Sequence, residues 1–342
     1  MRGIVGVIVN PIAGKDIRRL VSAASHTSDS SKIDVVRRAV VAALESGADR
    51  VLLAPDPHYL AHRAIADLGG RAQVVDSMMH GSRDDTTAVA TRMWKEDVGV
   101  LIVLGGDGTC RDVARGWPDA PMIAISTGTN NVYPSPIDAT SAGAAAGFVA
   151  SGAVDPHAVS RRSKRVATTI STNGHLVDDL ALVDLALIDT TFVGSRAVLD
   201  PARVRVVVAS TASPASTGLS SIAGRVQPID RWASGGVLVR LGSGGRPVRV
   251  PLAPGSFTTV EVIEVVALSD GERVEIRGPG VLAFDGERDR RIGHDVIVTA
   301  SVDMSGPLLV DVEATLLSAA RLGLFDALPP NHHRTMESYD GR

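Results

Sequence analysis

Cysteine is almost absent from this chain of 342 residues: Cys110 stands alone. An intrachain disulfide and a Cys-based zinc site are therefore excluded. Aromatic residues make up only 3% of the sequence, too few for the successive stacking surfaces of a nucleic-acid binder. Neither charge sign dominates. The 35 basic and 38 acidic side chains leave a formal net charge of −3, without the basic excess that nucleic acid selects for. No apolar run reaches the roughly 18 residues of a membrane span. The first ten residues lack a basic region, a long apolar stretch and a cleavage site, so no signal peptide is expected. A cytoplasmic protein with neither a membrane nor a nucleic-acid partner is the expectation. Lysine is scarce as well, confined to Lys15, Lys32, Lys95 and Lys164.

What is present is ordinary for a globular protein: 44% hydrophobic and 21% charged residues. The length suggests two domains. Over the first 150 residues, short apolar runs at 3–9, 50–54, 72–75, 98–104 and 122–125 suit parallel strands buried on both faces. Between them lie helical patterns at 33–45, 59–68, 85–95 and 140–151. Ser82 or Asp84 is placed to cap the third. Alternation of this kind predicts an α/β domain over residues 1–155, a parallel sheet with helices on both faces.

Near residue 155 the pattern changes. From 156 to 302 the chain reads as an all-β sandwich, with strands at 165–171, 180–188, 204–209, 237–241, 260–267, 273–276, 281–284 and 296–300. The glycines from Gly242 to Gly245 and the pair Asp270-Gly271 read as turns. The basic cluster Arg161, Arg162, Lys164 and Arg165 is short and has no aromatic interleaving, so it reads as a solvated lead-in to a strand. Residues 303–325 read as a strand and a helix (313–324) returning to the first domain, and 326–342 as a loose tail.

The strongest chemical signal is Gly105-Gly106-Asp107-Gly108-Thr109, directly after the most apolar strand. Ligands of open α/β sheets bind at the carboxyl ends of strands. Glycines let the backbone approach a phosphate, and a helix starting at Thr109 would add its amides. Asp107 repels phosphate, so its place there makes sense if it handles a proton or a metal ion. A tight turn with an Asp cap explains the acid but not the glycines around it. A second polar loop, Ser126-Thr127-Gly128-Thr129-Asn130-Asn131, also follows a strand. So does Asn10-Pro11-Ile12-Ala13-Gly14-Lys15, which fails as a P-loop: Val9 takes the place of the first glycine and Asp16 follows Lys15.

These strings resemble the NAD kinase and diacylglycerol kinase superfamily over roughly residues 3–325. The segment from Ala215 to Val226 is similar to the Gly-Ser-Thr-Ala-Tyr segment of NAD kinases, and Phe284-Asp285-Gly286-Glu287 to their C-terminal Asp-Gly turn. The branch most resembled is the ATP-NAD kinase-like group associated with acetoin catabolism. The resemblance implies that Asp107 is the catalytic acid and that Gly105, Gly106, Gly108 and Thr109 form the phosphate loop. It also implies nucleotide contacts from Asn10, Pro11, Gly14, Thr127, Gly128, Thr129, Asn130 and Asn131, and from Ser216, Thr217 and Gly218. Asp184 and Asp285 are implied on the acceptor side. The implied activity is transfer of a phosphoryl group from ATP or another donor, with Mg²⁺, to a hydroxyl. That hydroxyl belongs to the ribose of NAD or NADH, as in NADP biosynthesis, or to a small acceptor of acetoin catabolism. A homo-oligomer is also implied. A lipid or sphingoid kinase and a non-catalytic nucleotide-binding regulator are the alternatives. Two departures bear on the acceptor. Val183 stands where NAD kinases carry Asn, and Leu219 where they carry Tyr.

The remaining candidates have plainer readings. His58 and His62, four apart, read as the face of a surface helix, since no third metal ligand is evident. Met78-Met79-His80 reads as packing at a strand end. Cys110 has no paired His in view and reads as an inert buried thiol. Asp178, Asp179 and Asp184 cannot all converge, because alternate residues of a strand face opposite sides.

Overall fold

The computed structural model of the chain describes residues 3–13, 28–77, 80, 84–128, 130–190 and 200–326. Five apolar runs become parallel strands: β1 (Ile4–Val9), β2 (Arg50–Leu53), β3 (Ala72–Val74), β4 (Val100–Gly105) and β5 (Pro121–Ser126). Every residue of β1 and β4 is buried, because helices cover both faces of the sheet. On one face lie α1 (Asp29–Glu45), α2 (Leu60–Ile65) and α5 (Ala139–Ala150). On the other lie α3 (Asp84–Lys95) and α4 (Asp107–Gly116). Ser28 caps α1, its side chain accepting from the Ser31 amide, so this helix starts four residues before its apolar pattern does. Asp84 belongs to the first turn of α3 rather than capping it, and Ser82 lies outside the described residues. Helix α2 begins at Leu60, so His58 precedes it.

After α6 (Pro156–Val159) and β6 (Ser160–Arg162), the chain builds two antiparallel sheets. The smaller contains β7 (Arg165–Thr172) and β8 (His175–Ala181); the larger begins with β9 (Asp184–Ile188) and β10 (Val204–Ala209). Helix α7 (Ser220–Val226) precedes the long strands β11 (Gly236–Ala253) and β12 (Ser256–Leu268) of the larger sheet. Then come β13 (Arg273–Arg277) of the smaller, β14 (Gly280–Phe284) and β15 (Glu287–Ile292) of the larger, and β16 (Ile297–Asp303) of the smaller. The sheets face each other across a core of Val166, Ile170, Leu185, Leu187, Val298 and Phe284. The outer face of the larger sheet is covered by α7. This is the α/β-plus-sandwich architecture that the sequence predicts.

The chain then returns. Strand β17 (Leu308–Val310) pairs parallel to β5 and antiparallel to β6, completing the first sheet in the order β3-β2-β1-β4-β5-β17-β6. Helix α8 (Val312–Arg321) follows, capped by Asp311. Its Ala319 packs with α5, and Phe325 just beyond it meets Phe148 edge-on.

Three expectations are corrected. Residues 180–188 are two strands in different sheets, and Leu182-Val183 carry the chain across; both sides of the crossing are apolar, so the pattern does not break there. The glycines from Gly242 to Gly245 do not turn the chain. They bulge within β11, where Leu241 and Arg246 both pair with Val262. The hairpin closes further on, where Ala253 pairs with Ser256. Lys164 is buried rather than solvated. Its ammonium donates to the carbonyls of Asp230 (2.8 Å) and Gly235 (3.1 Å). Strand β15 (ERDRRI) had no apolar signal to reveal it.

Candidate active site

Strand order 3-2-1-4-5 reverses direction between β1 and β4, where doubly wound sheets open a crevice at their carboxyl ends. The loops expected to bind a nucleotide lie there. The Asn10 amide donates to Thr109 Oγ1 at 2.8 Å, joining the first loop to the glycine loop. Asn10 Oδ1 accepts from the amides of Ile12 and Ala13. Lys32, buried in α1, donates to the carbonyls of Asn10 (3.1 Å), Pro11 (2.6 Å) and Ala13 (2.7 Å). Two of the four lysines are thus buried clamps on loop carbonyls, a task for a compact ammonium with three donors.

Helix α4 starts at Asp107, two residues earlier than the sequence suggests, with Gly106 as its extended N-cap. A helix N-terminus leaves amides without intrahelical partners and favours anions. Glycine is required at 105 and 106 by close approach. A Cβ at 105 would lie 2.5 Å from the Thr109 side chain, and one at 106 would lie 2.9 Å from Asn131 Oδ1. Asn131 donates to Ser126 Oγ at 2.8 Å, and the Thr127 amide donates to the Gly105 carbonyl at 3.2 Å. Ser126 Oγ donates to the Gly128 carbonyl. The second loop is therefore bonded onto the first.

Asp107 is half-buried. Its carboxylate accepts from the amides of Val132 (3.0 and 3.2 Å) and Tyr133 (2.8 Å). The carbonyls of the same two residues accept from Arg231 Nη2, the Tyr133 oxygen at 3.2 Å. A side chain from the second half of the chain thus grips the peptides that hold Asp107. The second half also approaches through Gly218, whose φ is 89° and whose Cβ position lies 3.3 Å from Asn130 Nδ2. Ser216 and Thr217 precede it, half-buried. Gly14 and Thr129 lie outside the described residues.

Behind Asp107 are two more acids. Asp285 and Gly286 both have positive φ (51° and 75°) and close β14 onto β15 in the two-residue turn that an Asp-Gly pair favours. The Asp285 carboxylate points back to the sheet crossing. There it accepts from the amides of Leu182 (3.0 Å), Val183 (2.7 Å) and Asp184 (3.2 Å). Burial pushes its acid up to about 6, against the nearby Arg111 cation and these three amides. The Asp184 carboxyl is pushed well up by burial first, then by the charges of Asp285 and Asp107; backbone hydrogen bonds from Gly286 and Ser220 oppose the shift. Asp184 Oδ1 has no hydrogen-bond partner among the described residues.

Arg111, one turn beyond Asp107, is fully buried, at 0% exposure. It donates from Nε to the Leu180 carbonyl (2.6 Å) and pairs with Asp179 (2.9 Å) and Asp289 (2.8 Å). Its guanidinium lies 4.3 Å from the Phe284 ring centroid. Burial opposes its charge, and Asp179, Asp285 and Asp289 outweigh burial. Sequence reasoning missed Arg111, Lys32 and Arg231. Cys110 is buried, as expected, and its thiol is pushed up, chiefly by burial. Asp178 is exposed and accepts from Thr169 Oγ1, whereas Asp179 faces Arg111. His58 pairs with Asp29, and the rings of His62 and Tyr59 pack together. The His80 amide donates to Asp85; Met78 and Met79 lie outside the described residues.

Comparison with known proteins agrees with this fold. The family model for the ATP-NAD kinase N-terminal domain matches residues 5–153, and that for the acetoin catabolism protein X C-terminal domain matches residues 164–305. Acetoin catabolism protein X of Cupriavidus necator is 35% identical over 340 residues, covering 95% of each chain. An uncharacterized protein of Archaeoglobus fulgidus is 31% identical over 132 residues, 38% of this chain and 36% of that one. Among solved structures, yeast NADH kinase complexed with NADH superposes with a TM-score of 0.53 at 14% identity, over 96% of this chain and 89% of that one. It shares the fold. This chain belongs to the acetoin catabolism protein X family, built on the NAD kinase fold.

Proposed function

We propose that this protein is a phosphotransferase that moves the terminal phosphoryl group of ATP to a hydroxyl of a small acceptor. The observation that carries this reading is the Asp107 carboxylate. Two backbone amides fix it in the first turn of a helix that begins on a glycine loop. Phosphoryl transfer asks a protein for positioning and charge stabilisation rather than covalent chemistry. The first amides of α4 would hold the donor phosphates, flanked by Asn10 and the Thr127–Asn131 loop. Asp107 would accept the hydrogen bond of the acceptor hydroxyl and then its proton. The unpartnered Oδ1 of Asp184 lies buried behind it in the same acidic group.

Among the described residues no group of three or more His, Cys, Asp or Glu side chains is arranged to hold a metal. Asp107 beside the donor phosphates would suit Mg²⁺ arriving with the nucleotide, since this ion keeps several waters and needs only one or two carboxylates beside phosphate oxygens. When bound, it supplies neutralisation of phosphate charge.

The acceptor class follows from the two departures. Leu219 is 3% exposed and packs in the core beneath α7 with Ala212 and Ile222. Val183 is buried, and its amide is taken by Asp285. Neither offers an adenine or ribose contact, which favours an acceptor smaller than a dinucleotide. The Cupriavidus relative's name points to acetoin catabolism, and hydroxyketones and diols are of that size. The test is single-turnover transfer from radiolabelled ATP with Mg²⁺ to acetoin, 2,3-butanediol, NAD and NADH in parallel. Label on one of the small hydroxy compounds is expected. Label on NAD or NADH alone would contradict the acceptor class, and failure to bind ATP would overturn the reading.

A further inference from the structure

In the loop after β2, one buried carboxylate takes up most of the backbone amides. Asp56, 5% exposed, accepts from the amides of His58 (3.0 Å) and Leu60 (3.0 Å) through Oδ1 and of Ala61 (2.9 Å) through Oδ2. The Tyr59 amide donates to the Asp56 carbonyl at 3.0 Å, and Pro57 has no amide to give. This bonding holds Tyr59 in the left-handed region, φ 56° and ψ 30°. For a bulky residue that conformation is strained and persists only where the surroundings impose it. The side chain so fixed is a phenol ring, 65% exposed, braced by the His62 ring at 5.7 Å.

The position of the loop gives the ring a use. Strand β2 neighbours β1, and β1 neighbours β4. The end of β2 therefore lies two strand spacings, about 10 Å, from the glycine loop. The first turns of α1 tie the two together: Asp29 pairs with His58 at 2.9 Å, and Lys32 holds residues 10–13. That separation is comparable with the reach from the terminal phosphate to the base of an extended nucleoside triphosphate.

We infer that Tyr59 is the stacking platform for the donor's base, so that this protein selects a nucleoside triphosphate over a phosphate chain without a base. The inference rests on the phosphotransferase reading and adds the donor's identity. Calorimetric binding of ATP and of inorganic tripolyphosphate, each with Mg²⁺, tests it on wild type, Tyr59→Phe, Tyr59→Ala and Tyr59→Gly. Stacking predicts ATP weakened roughly 5- to 150-fold in Tyr59→Ala, little change in Tyr59→Phe, and tripolyphosphate indifferent to all three. Tyr59→Gly relaxes the backbone yet should lose ATP as Tyr59→Ala does, which separates the ring from the strain. Unchanged ATP affinity in Tyr59→Ala would overturn the platform and leave the phosphotransferase standing. Equal loss of ATP and tripolyphosphate would overturn it too, as damage to the phosphate loops. Absence of ATP binding in wild type would overturn both.

Discussion

In the crevice between β1 and β4, the Asp107 carboxylate accepts from two backbone amides and stays half-buried. Behind it, the Asp285 carboxylate accepts from three and is only 7% exposed. The bonding is alike and the surroundings differ. Asp107 sits half-buried on the first turn of a helix, whereas Asp285 ties a hairpin turn to the point where the chain changes sheets. Amide cradles fix a carboxylate wherever one is needed; on the proposed function, exposure assigns Asp107 to chemistry and Asp285 to architecture. Arg111 stands between the two regions, rooted in the phosphate-loop helix and buried among acids of the second half.

Three experiments would break or sharpen that contrast, in falling order of effect. Arg111→Met removes the cation that Asp179 and Asp289 share and leaves buried Asp179 with only Arg115, at 3.6 Å, at a cost of about 3 kcal/mol. Denaturant unfolding measures it; a loss under 1 kcal/mol would mean that Arg111 does not join the two halves. Asp285→Ala leaves the amides of Leu182, Val183 and Asp184 without their acceptor. Relief of repulsion with Asp184 offsets part of that loss, leaving roughly 2–3 kcal/mol. ATP affinity should be unaffected, and a fall in affinity would put Asp285 in the site rather than behind it.

The third experiment is a pH dependence. Asp184 and Asp285 both have acids raised above the unfolded value of 3.8 by burial, Asp285 to about 6. A raised carboxyl holds its proton in the folded state. Its contribution to stability is complete below the unfolded value and is lost as pH rises through the folded one. Wild type should therefore lose stability, on the order of 1 kcal/mol, between pH 5 and pH 7.5 relative to Asp285→Asn, whose residue 285 does not titrate. Parallel melting temperatures for the two proteins would contradict the shared acidic environment.

The strand-end loops were legible because each is a local string: glycines, Asn or Asp directly after an apolar run. The Asp285-Gly286 turn was legible only through its resemblance to the Asp-Gly turn of NAD kinases. Arg111, Lys32 and Arg231 were not. An Arg or Lys in a helical pattern reads as a solvated face, Arg231 lies in a turn between elements, and the partners of each lie elsewhere in the chain. Arg111 meets Asp289 178 residues away, and Arg231 meets Tyr133 98 residues away. Strand β15 was hidden because its charged side chains carry no apolar alternation. The crossing at Leu182-Val183 was hidden because both sides of it are core. Local chemistry announces itself in sequence; burial arising from long-range contact does not.

The central claim is that Asp107 takes a proton during transfer rather than shaping the loop. Asp107→Asn keeps an oxygen for the Val132 and Tyr133 amides but has no basic site at neutral pH. The decisive measurement is single-turnover phosphoryl transfer together with ATP affinity, on wild type and Asp107→Asn. Transfer reduced roughly 10²–10⁴-fold with ATP affinity unchanged or tighter is the predicted result. Transfer at the wild-type rate would contradict it.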